Sequence, residues 1–361
     1  MKIRSLVTSV GVASSLSLSL CAASAHAQSE PGAAPPPAEA EPPAAAAAPA
    51  EPAPAAPPPA EAAPVEAPPP AAEATAPPPA AAKPKPPPYS LPWQLRGVVP
   101  VNVVRSDSTL GLYKNAAGTE SGSVIVSTLL ASYKITDEFS PIVRLGVVSN
   151  SPPSPAKSAT NFMNPVVGAL YGLKLSPELR LGLFLGLTIP VGGGGGDSAA
   201  AENKAANGAG IAARNAMDNA MFAVNDFTVF PGVGLAFLSH GFTAQVEATL
   251  LQLTQVRGGK AAQPDSSRTN FTTGLHLGYF LIPQLSIGAE LRHQRWLSTP
   301  TAVKANEAAR DTTTFAVGPR VHLKLGEKMW LRPGVSFSMP IDKPNSDFKY
   351  KNIQLDIPFV F

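Results

Sequence analysis

The feature that most constrains this chain is a strict two-residue alternation between apolar and other side chains. The clearest example runs from Leu179 to Ile189, where every odd position is Leu or Ile and the even positions hold Arg, Gly, Phe, Gly and Thr. A period of two matches a β-strand with one uniformly apolar face and fits no helical period. The alternation recurs over residues 315–325, 329–339 and 353–361. The pattern therefore predicts an all-β fold.

Twelve such segments predict twelve strands, joined alternately by short turns and long polar loops. Sorting the loops by length in this way is typical of an antiparallel up-and-down transmembrane β-barrel with both chain ends on the same side. A soluble β-sandwich also alternates, but it has no reason to sort its loops by length. The segments are long enough to cross a bilayer, which takes about 9 to 11 residues per strand. The predicted strands span residues 93–104, 123–135, 140–149, 164–175, 179–190, 223–238, 242–256, 269–281, 285–297, 313–325, 329–339 and 350–361.

The N-terminus carries an export signal. Lys2 and Arg4 precede an apolar stretch, and Ala25-His26-Ala27 supplies the small residues of a signal-peptidase site, so residues 1–27 are predicted to be a signal peptide. The alternative is a lipoprotein signal ending at Cys21, which would place bulky Leu20 where a small residue is preferred. Because Cys21 is the only cysteine, the mature chain has no thiol for a disulfide, a nucleophile or a metal-thiolate site.

Residues 28–88 are Ala/Pro-rich and hold 23 of the 41 prolines, together with seven glutamates. This composition cannot bury a core, so we expect a disordered periplasmic linker between the signal peptide and a barrel formed by residues 89–361. Its proline runs favour an extended chain. The linker is either a spacer with no specific affinity or a tether that docks on a periplasmic partner.

The barrel region carries 24 basic against 18 acidic side chains, spaced singly along the strands. This pattern falls short of a nucleic-acid footprint, so no nucleic-acid partner is expected. The glycine run at residues 192–196 is not followed by Gly-Lys-Ser/Thr, which excludes a phosphate-binding loop. The mature histidines form no constellation with a serine and an acid. We therefore predict no enzyme activity, no cofactor and no metal.

If the aliphatic positions face lipid, the alternate positions project into the lumen. Charges there avoid the roughly 2 to 4 kcal/mol that an Arg or Lys costs on the lipid face near mid-bilayer. The excess of cations predicts a narrow polar channel that favours anions, and inward glycines such as Gly182 and Gly234 leave space for a passage. The alternative is an internal network in which neighbouring charges, Arg292 with Glu290 and Arg332 with Asp356, neutralise one another and plug the barrel. The predicted lumen residues are Arg96, Arg144, Lys174, Arg180, Glu247, Glu290, Arg292, Arg320, Lys324, Arg332 and Asp356.

The last predicted strand ends in alternating apolar residues and a terminal phenylalanine. Tyr350, Phe359 and Phe361 resemble the signature that outer-membrane barrels present to their insertion machinery. The expected partners are therefore outer-membrane lipid and the barrel insertion machinery. The loop at residues 191–222 is expected to be a flexible outer loop that either folds into the barrel mouth or stays mobile. The sequence leaves the oligomeric state undetermined.

Asn164-Pro165 opens a predicted strand, and Leu181–Leu187 runs into Ile189-Pro190-Val191-Gly192 before a long loop. This arrangement resembles the outer-membrane transporters named after the meta-pathway of phenol degradation. The resemblance implies a barrel of about twelve strands with a role in solute passage. The long Ala/Pro-rich segment departs from the pattern of that family, which puts a shared substrate in doubt.

These observations predict an outer-membrane barrel of a Gram-negative bacterium that acts as a passive pore or transporter for small solutes, with anions favoured. The alternative function is structural. In that case a closed barrel anchors the proline-rich arm or displays adhesive surface loops.

Overall fold

The computed structural model describes residues 89–115, 117–259, 265–343 and 345–361. The predicted signal peptide and linker (residues 1–88) lie outside these described residues. The strands are β1 (Val103–Lys114), β2 (Ser121–Ser132), β3 (Phe139–Ser151), β4 (Ala159–Phe162), β5 (Val166–Lys174), β6 (Leu179–Thr188), β7 (Asp226–Ser239), β8 (Phe242–Gln255), β9 (Ser267–Ile282), β10 (Leu285–Trp296), β11 (Asp311–Val321), β12 (Leu323–Lys324), β13 (Trp330–Leu331), β14 (Gly334–Pro340) and β15 (Lys351–Val360). The helices are α1 (Ala201–Ala213), α2 (Asn219–Phe222), α3 (Thr301–Ala305) and a 3-10 turn (Glu307–Arg310).

The strands form one antiparallel sheet that closes on itself, because β15 pairs with both β14 and β1. Short interruptions divide three of the wall strands, so β4 and β5, β11 and β12, and β13 and β14 each count as one crossing. The wall therefore has twelve crossings. The predicted twelve-stranded up-and-down barrel is confirmed, and its first and last strands pair with each other along ten residue pairs.

The alternation in the sequence sorts side chains to the two faces of the wall. On β6, Leu183 and Leu185 point outward and are 44% and 50% exposed, while Phe184 between them points inward and is 9% exposed. Tyr171 and Tyr279 also lie on the outer face. Strand β2 is apolar on both faces, because its inward Val124 and Val126 pack on other parts of the chain. None of the helices in the described ranges is long and apolar enough to cross a membrane.

The first predicted strand is wrong. Residues 93–104 alternate, but the first wall strand is β1, and residues 89–102 lie inside the barrel, where Trp93 is 1% exposed. Period two identifies an extended segment with one apolar face and does not show whether that segment pairs in a sheet. The outward-facing residues of β1 include Ser106 and Ser108, so this strand does not show the apolar alternation in the sequence. Pro100 within the predicted strand lacks the N–H that an interior strand donates.

Residues 89–102, here called the lumen segment, enter and leave the barrel at the end that carries the short turns. The backbone N–H of Ser90 donates to Thr243 Oγ1 next to the β7–β8 turn. Further up the lumen, the backbone N–H of Trp93 donates to Glu290. The segment then descends, and Asn102 accepts from the backbone N–H of Phe361 at the start of the wall. The lumen segment is therefore a loop that enters the lumen from the short-turn end and returns to that end.

Inward glycines make room for the lumen segment. A Cβ added at Gly172 would lie 2.3 Å from Pro100 Cδ, and one at Gly274 would lie 2.7 Å from Leu95 Cδ1. Similar close approaches occur at Gly182 and Gly234, which face Val98. The space that these glycines were expected to leave for solute is occupied by the chain itself.

A second segment enters from the end that carries the long loops. Residues 189–225, here called the loop insert, connect β6 to β7 and contain α1 and α2. The α1 residues Ala209 and Ala213 pack into the same buried cluster as Val124, Val148 and Tyr113 of the wall. Of the two alternatives left open by the sequence, this loop folds into the barrel.

Candidate functional site

The lumen charges pair with one another and hold the lumen segment in place. Glu290 is fully buried on β10, and its carboxylate accepts hydrogen bonds from the backbone N–H groups of Trp93 and Gln94 at 2.5 and 3.3 Å. The same carboxylate pairs with Arg292 at 2.5 Å and lies 3.4 Å from His276 Nδ1. One buried acid therefore neutralises a wall arginine and also binds the backbone of the lumen segment.

A second buried carboxylate of the barrel wall also binds the backbone of the lumen segment. Glu247 on β8 accepts from the backbone N–H of Arg96 and forms an ion pair with the guanidinium of Arg96. That guanidinium lies over the ring of Phe184, 4.4 Å from its centroid. Arg96 thus lies inside the barrel as predicted, but it belongs to the lumen segment and not to a wall strand.

Asp356 on β15 is the third carboxylate of this kind. It is fully buried and pairs with Arg320 at 2.5 Å and with Arg105 Nε at 2.6 Å. Arg105 also donates to the backbone carbonyls of Pro92 and Trp93. The carboxylate thereby orients a wall arginine toward the carbonyl groups of the lumen segment.

A separate four-charge cluster joins the loop insert to the wall. Arg214 is 1% exposed and forms two hydrogen bonds to Asp107 of β1, at 2.7 and 3.0 Å. Asp218 accepts two hydrogen bonds from Arg144 of β3, at 2.6 and 3.0 Å. Each pair is bidentate, the geometry that makes Arg–carboxylate pairs strong and specific.

Burial by itself would raise the pKa of Asp218, but Arg144 and Arg214 outweigh it and hold this pKa well below its usual range. Asp218 is therefore ionised at neutral pH. Because its pKa is depressed when the insert is docked, its contribution to docking is present above about pH 4 and is lost as the pH falls through the lowered pKa.

The two inserted segments meet inside the barrel. Asn215 of the loop insert donates from Nδ2 to Gln94 Oε1 of the lumen segment at 3.2 Å. Asn352 on β15 donates to Asn215 Oδ1 at 3.0 Å. Asn215 and Ala216 both have positive φ, 56° and 55°, in a left-handed conformation that is unfavourable for alanine. The loop insert thus reaches the lumen segment through a strained and buried tip.

Below this contact lies a cavity of about 640 Å³. It extends from the short-turn end, where Arg180 and Arg332 line it, to the underside of the loop insert at Met217 and Met221. Most of the side chains that face it are apolar. The apolar lining includes Leu95, Leu130, Ile142, Val166, Leu170, Phe184, Met221, Phe230 and Leu251.

The remaining predicted lumen cations lie at the short-turn end. Arg180 donates to the carbonyls of Ser176 and Pro177 and closes its own turn. Lys174 and Lys324 are exposed. The guanidinium of Arg332 lies 5.4 Å from the ring centroid of Trp330.

The residues proposed as an insertion signal lie at opposite ends of the last strand. Tyr350 precedes β15 at the long-loop end, where it is buried and stacks on Tyr113 with ring centroids 5.0 Å apart. Phe359 and Phe361 stack on each other at the short-turn end, 5.7 Å apart. Only these two phenylalanines lie at the C-terminus itself, so the insertion signal remains a prediction that rests on them.

The lumen charges that sequence reasoning missed include Arg105, Asp107, Arg214 and Asp218. Arg105 and Asp107 fell in a predicted loop (105–122) because β1 was placed too early. Arg214 and Asp218 fell in a predicted outer loop. Their spacing of four residues at the end of an alanine-rich stretch is a helical ion-pair signal that could have indicated an ordered segment.

One serine–histidine pair lies in the lumen. Ser286 Oγ is 2.8 Å from His322 Nε2. The charged groups acting on His322 are the cations Arg320 and Arg332, so the pair lacks the acid that orients the base in a catalytic triad. Within the described residues, no group of three or more His, Cys, Asp or Glu side chains is placed to hold a metal ion.

No protein-family model matches this sequence, and no curated protein matches it in sequence. Solved structures similar to this chain include an outer membrane channel from Pseudomonas putida F1, with 16% identity and a TM-score of 0.46 over 74% of this chain and 98% of that one. A KdgM porin has 8% identity and a TM-score of 0.39 over 71% and 99% of the two chains. A Pseudomonas aeruginosa FadL homologue has 10% identity and a TM-score of 0.36 over 72% and 90%. The fold assignment rests on the closed strand pairing itself, and these comparisons do not support the resemblance to the meta-pathway family.

The anchoring role of Glu290 leads to a stability prediction. Glu290→Gln leaves Arg292 buried without a counter-charge, and the loss of one partner of such a pair costs about 3 to 5 kcal/mol. We expect the free energy of unfolding, measured by urea titration in lipid, to fall by about that amount. The double variant Glu290→Leu/Arg292→Leu should recover the part of the loss that comes from the stranded charge. It should not recover the part that comes from the backbone N–H groups of Trp93 and Gln94, which lose their acceptor. Glu307→Gln, in an exposed pair, serves as the control and should leave stability unchanged. Equal stability of wild type and Glu290→Gln would contradict this role for Glu290.

Proposed function

We propose that this protein is an outer-membrane channel for small solutes, and that the structure represents its closed state. The proposal for its location is supported by the largely apolar outer face, because a closed barrel with such a face can satisfy its backbone groups in hydrocarbon. The export signal and the terminal phenylalanines are consistent with it. In this orientation the short turns and the linker face the periplasm, and the long loops face outward.

The observation that carries the proposal is the cavity beneath the loop insert. A structural barrel can be closed by packing its lumen solidly, whereas here the two inserted segments leave about 640 Å³ between them and the wall. That volume lies within the range of sites for small molecules, about 300 to 1,000 Å³. A solute that enters from outside reaches it only if the loop insert moves.

The chemistry of the cavity favours a compact, largely apolar solute. A carboxylate neutralises four of the eight cations that suggested anion preference, namely Arg96, Arg144, Arg292 and Arg320. Of the two pairs expected in an internal network, Arg292 pairs with Glu290, whereas Asp356 pairs with Arg320 and Arg105 instead of Arg332. A solute with an aromatic or aliphatic body would be bound by the apolar lining and excluded from water.

The chemical class of the solute can be tested by photolabelling. A phenyl diazirine probe should label Met221 and Phe230 inside the barrel as well as outward-facing residues, because the cavity gives an apolar ligand a second environment. Leu130→Trp places a bulkier ring in the cavity and should reduce the inner labels, as mapped by mass spectrometry. Leu129→Trp is the matched control, since the neighbouring residue points outward and is 49% exposed. If Met221 and Phe230 are not labelled in the wild-type protein, that result would contradict an apolar site in the cavity.

The second candidate function is the anchor or adhesin, which is favoured by the two chain segments that obstruct the lumen. Single-channel recording of the mature chain in a planar bilayer separates the two. We expect brief conductance steps with little anion preference, because most lumen cations are paired. A protein that stays silent, while its heat-modifiable gel mobility shows a folded barrel, would support the anchor.

A further inference from the structure

The four charges that join the loop insert to the wall have an unusual arrangement. The insert contributes one cation and one anion, Arg214 and Asp218, and the wall contributes one anion and one cation, Asp107 and Arg144. In the closed lumen they pair crosswise, Arg214 with Asp107 at 2.7 Å and Asp218 with Arg144 at 2.6 Å. Each pair therefore contains one charge from each element.

Within the insert, and likewise within the wall, the cation and the anion also lie close enough to pair with each other. Arg214 Nε already lies 2.8 Å from Asp218 Oδ2, four residues later in the insert. On the wall, Arg144 lies 3.8 Å from Asp107 Oδ2. If the insert leaves, both elements remain neutral, because the cross pairs are replaced by pairs within each element.

This arrangement bears on the cost of opening. Breaking a buried ion pair is strongly unfavourable when it leaves an uncompensated charge behind. Here no charge is left alone in either state. Two arrangements of similar energy are what a switching element requires.

The remaining contacts of α1 also suit an element that moves. Its buried residues include Ala205, Ala206, Ala209 and Ala213, which bury little apolar surface each. Gly194 and Gly196 precede the helix with φ of 78° and 81°. The tip at Asn215 and Ala216, in the left-handed region, follows it. Segments that absorb backbone changes therefore flank the helix on both sides.

We propose that Asp107, Arg144, Arg214 and Asp218 form an exchange latch, and that the chain from Asp197 to Asp218 is the outer gate of the channel. The latch holds the gate closed through cross pairs and releases it into pairs within each element. This proposal rests on the proposed channel function, because a gate has a role only where a solute passes.

The test exchanges the charges of the insert. In Arg214→Asp/Asp218→Arg, the insert keeps its internal pair, but like charges now face each other across the closed contact. Only the closed state is destabilised. Adding Asp107→Arg/Arg144→Asp on the wall restores the cross pairs and should restore closure. The exposed pair exchanged as Glu307→Arg/Arg310→Glu is the matched control, and heat-modifiable gel mobility verifies that each barrel is folded.

Two readouts separate the latch from the channel. Ala209→Cys, buried in the closed state, supplies a single thiol in the mature chain, and its rate of maleimide labelling reports the undocked insert. We expect the insert exchange to raise this rate at least about tenfold, a ratio that the loss of two buried ion pairs easily provides. Adding the wall exchange to the insert exchange should return the labelling rate to that of the Ala209→Cys protein without either exchange. Single-channel open probability should rise and fall in parallel.

The outcomes differ for the two proposals. Labelling that does not change in a folded insert exchange overturns the latch. Labelling that rises without any conductance supports the latch and overturns the channel. If the exchanged insert prevents folding, the neutral variant Arg214→Gln/Asp218→Asn replaces it: it removes both cross pairs without introducing repulsion and should also raise the labelling rate. An unchanged rate in that variant overturns the latch.

Discussion

The rest of the structure depends on the width of a twelve-stranded barrel. Eight strands enclose a space that wall side chains can fill, and sixteen or more leave an aqueous channel. Twelve lie between these limits, so the wall alone can neither pack the interior nor leave it fully hydrated. Two segments of the chain, one from each end of the barrel, occupy much of the interior space that the wall side chains leave unfilled.

Filling the lumen with backbone creates polar groups that need partners away from water. Buried N–H and C=O groups are costly unless they are hydrogen-bonded. Glu290 and Glu247 accept from backbone N–H groups of the lumen segment, and Arg105 donates to its carbonyls. The wall charges are therefore placed where the inserted backbone has unpaired groups. Their nearly balanced pairing explains why a basic barrel does not have a basic interior.

Much of the fold can be predicted from the sequence, since lipid forces an outward apolar face on every crossing. That constraint gives the number of strands, the sorting of loops and the inward placement of residues such as Arg292 and Asp356. The position of the lumen segment inside the barrel could not be predicted, because an extended chain that packs there buries alternate residues just as a wall strand does. The pairing of Arg214 with Asp107 escapes as well, because it joins residues 107 positions apart.

Closure of the lumen depends most directly on the contact between the two inserted segments. In a chain that begins at Gln28, after the single Cys21, Gln94→Cys/Asn215→Cys places two thiols at that contact and nowhere else. A short bifunctional thiol reagent should link them in the folded protein, and proteolysis should yield one joined peptide from the two segments. Thiols that never cross-link, and that react independently from opposite sides of the membrane, would contradict a lumen closed by two meeting segments.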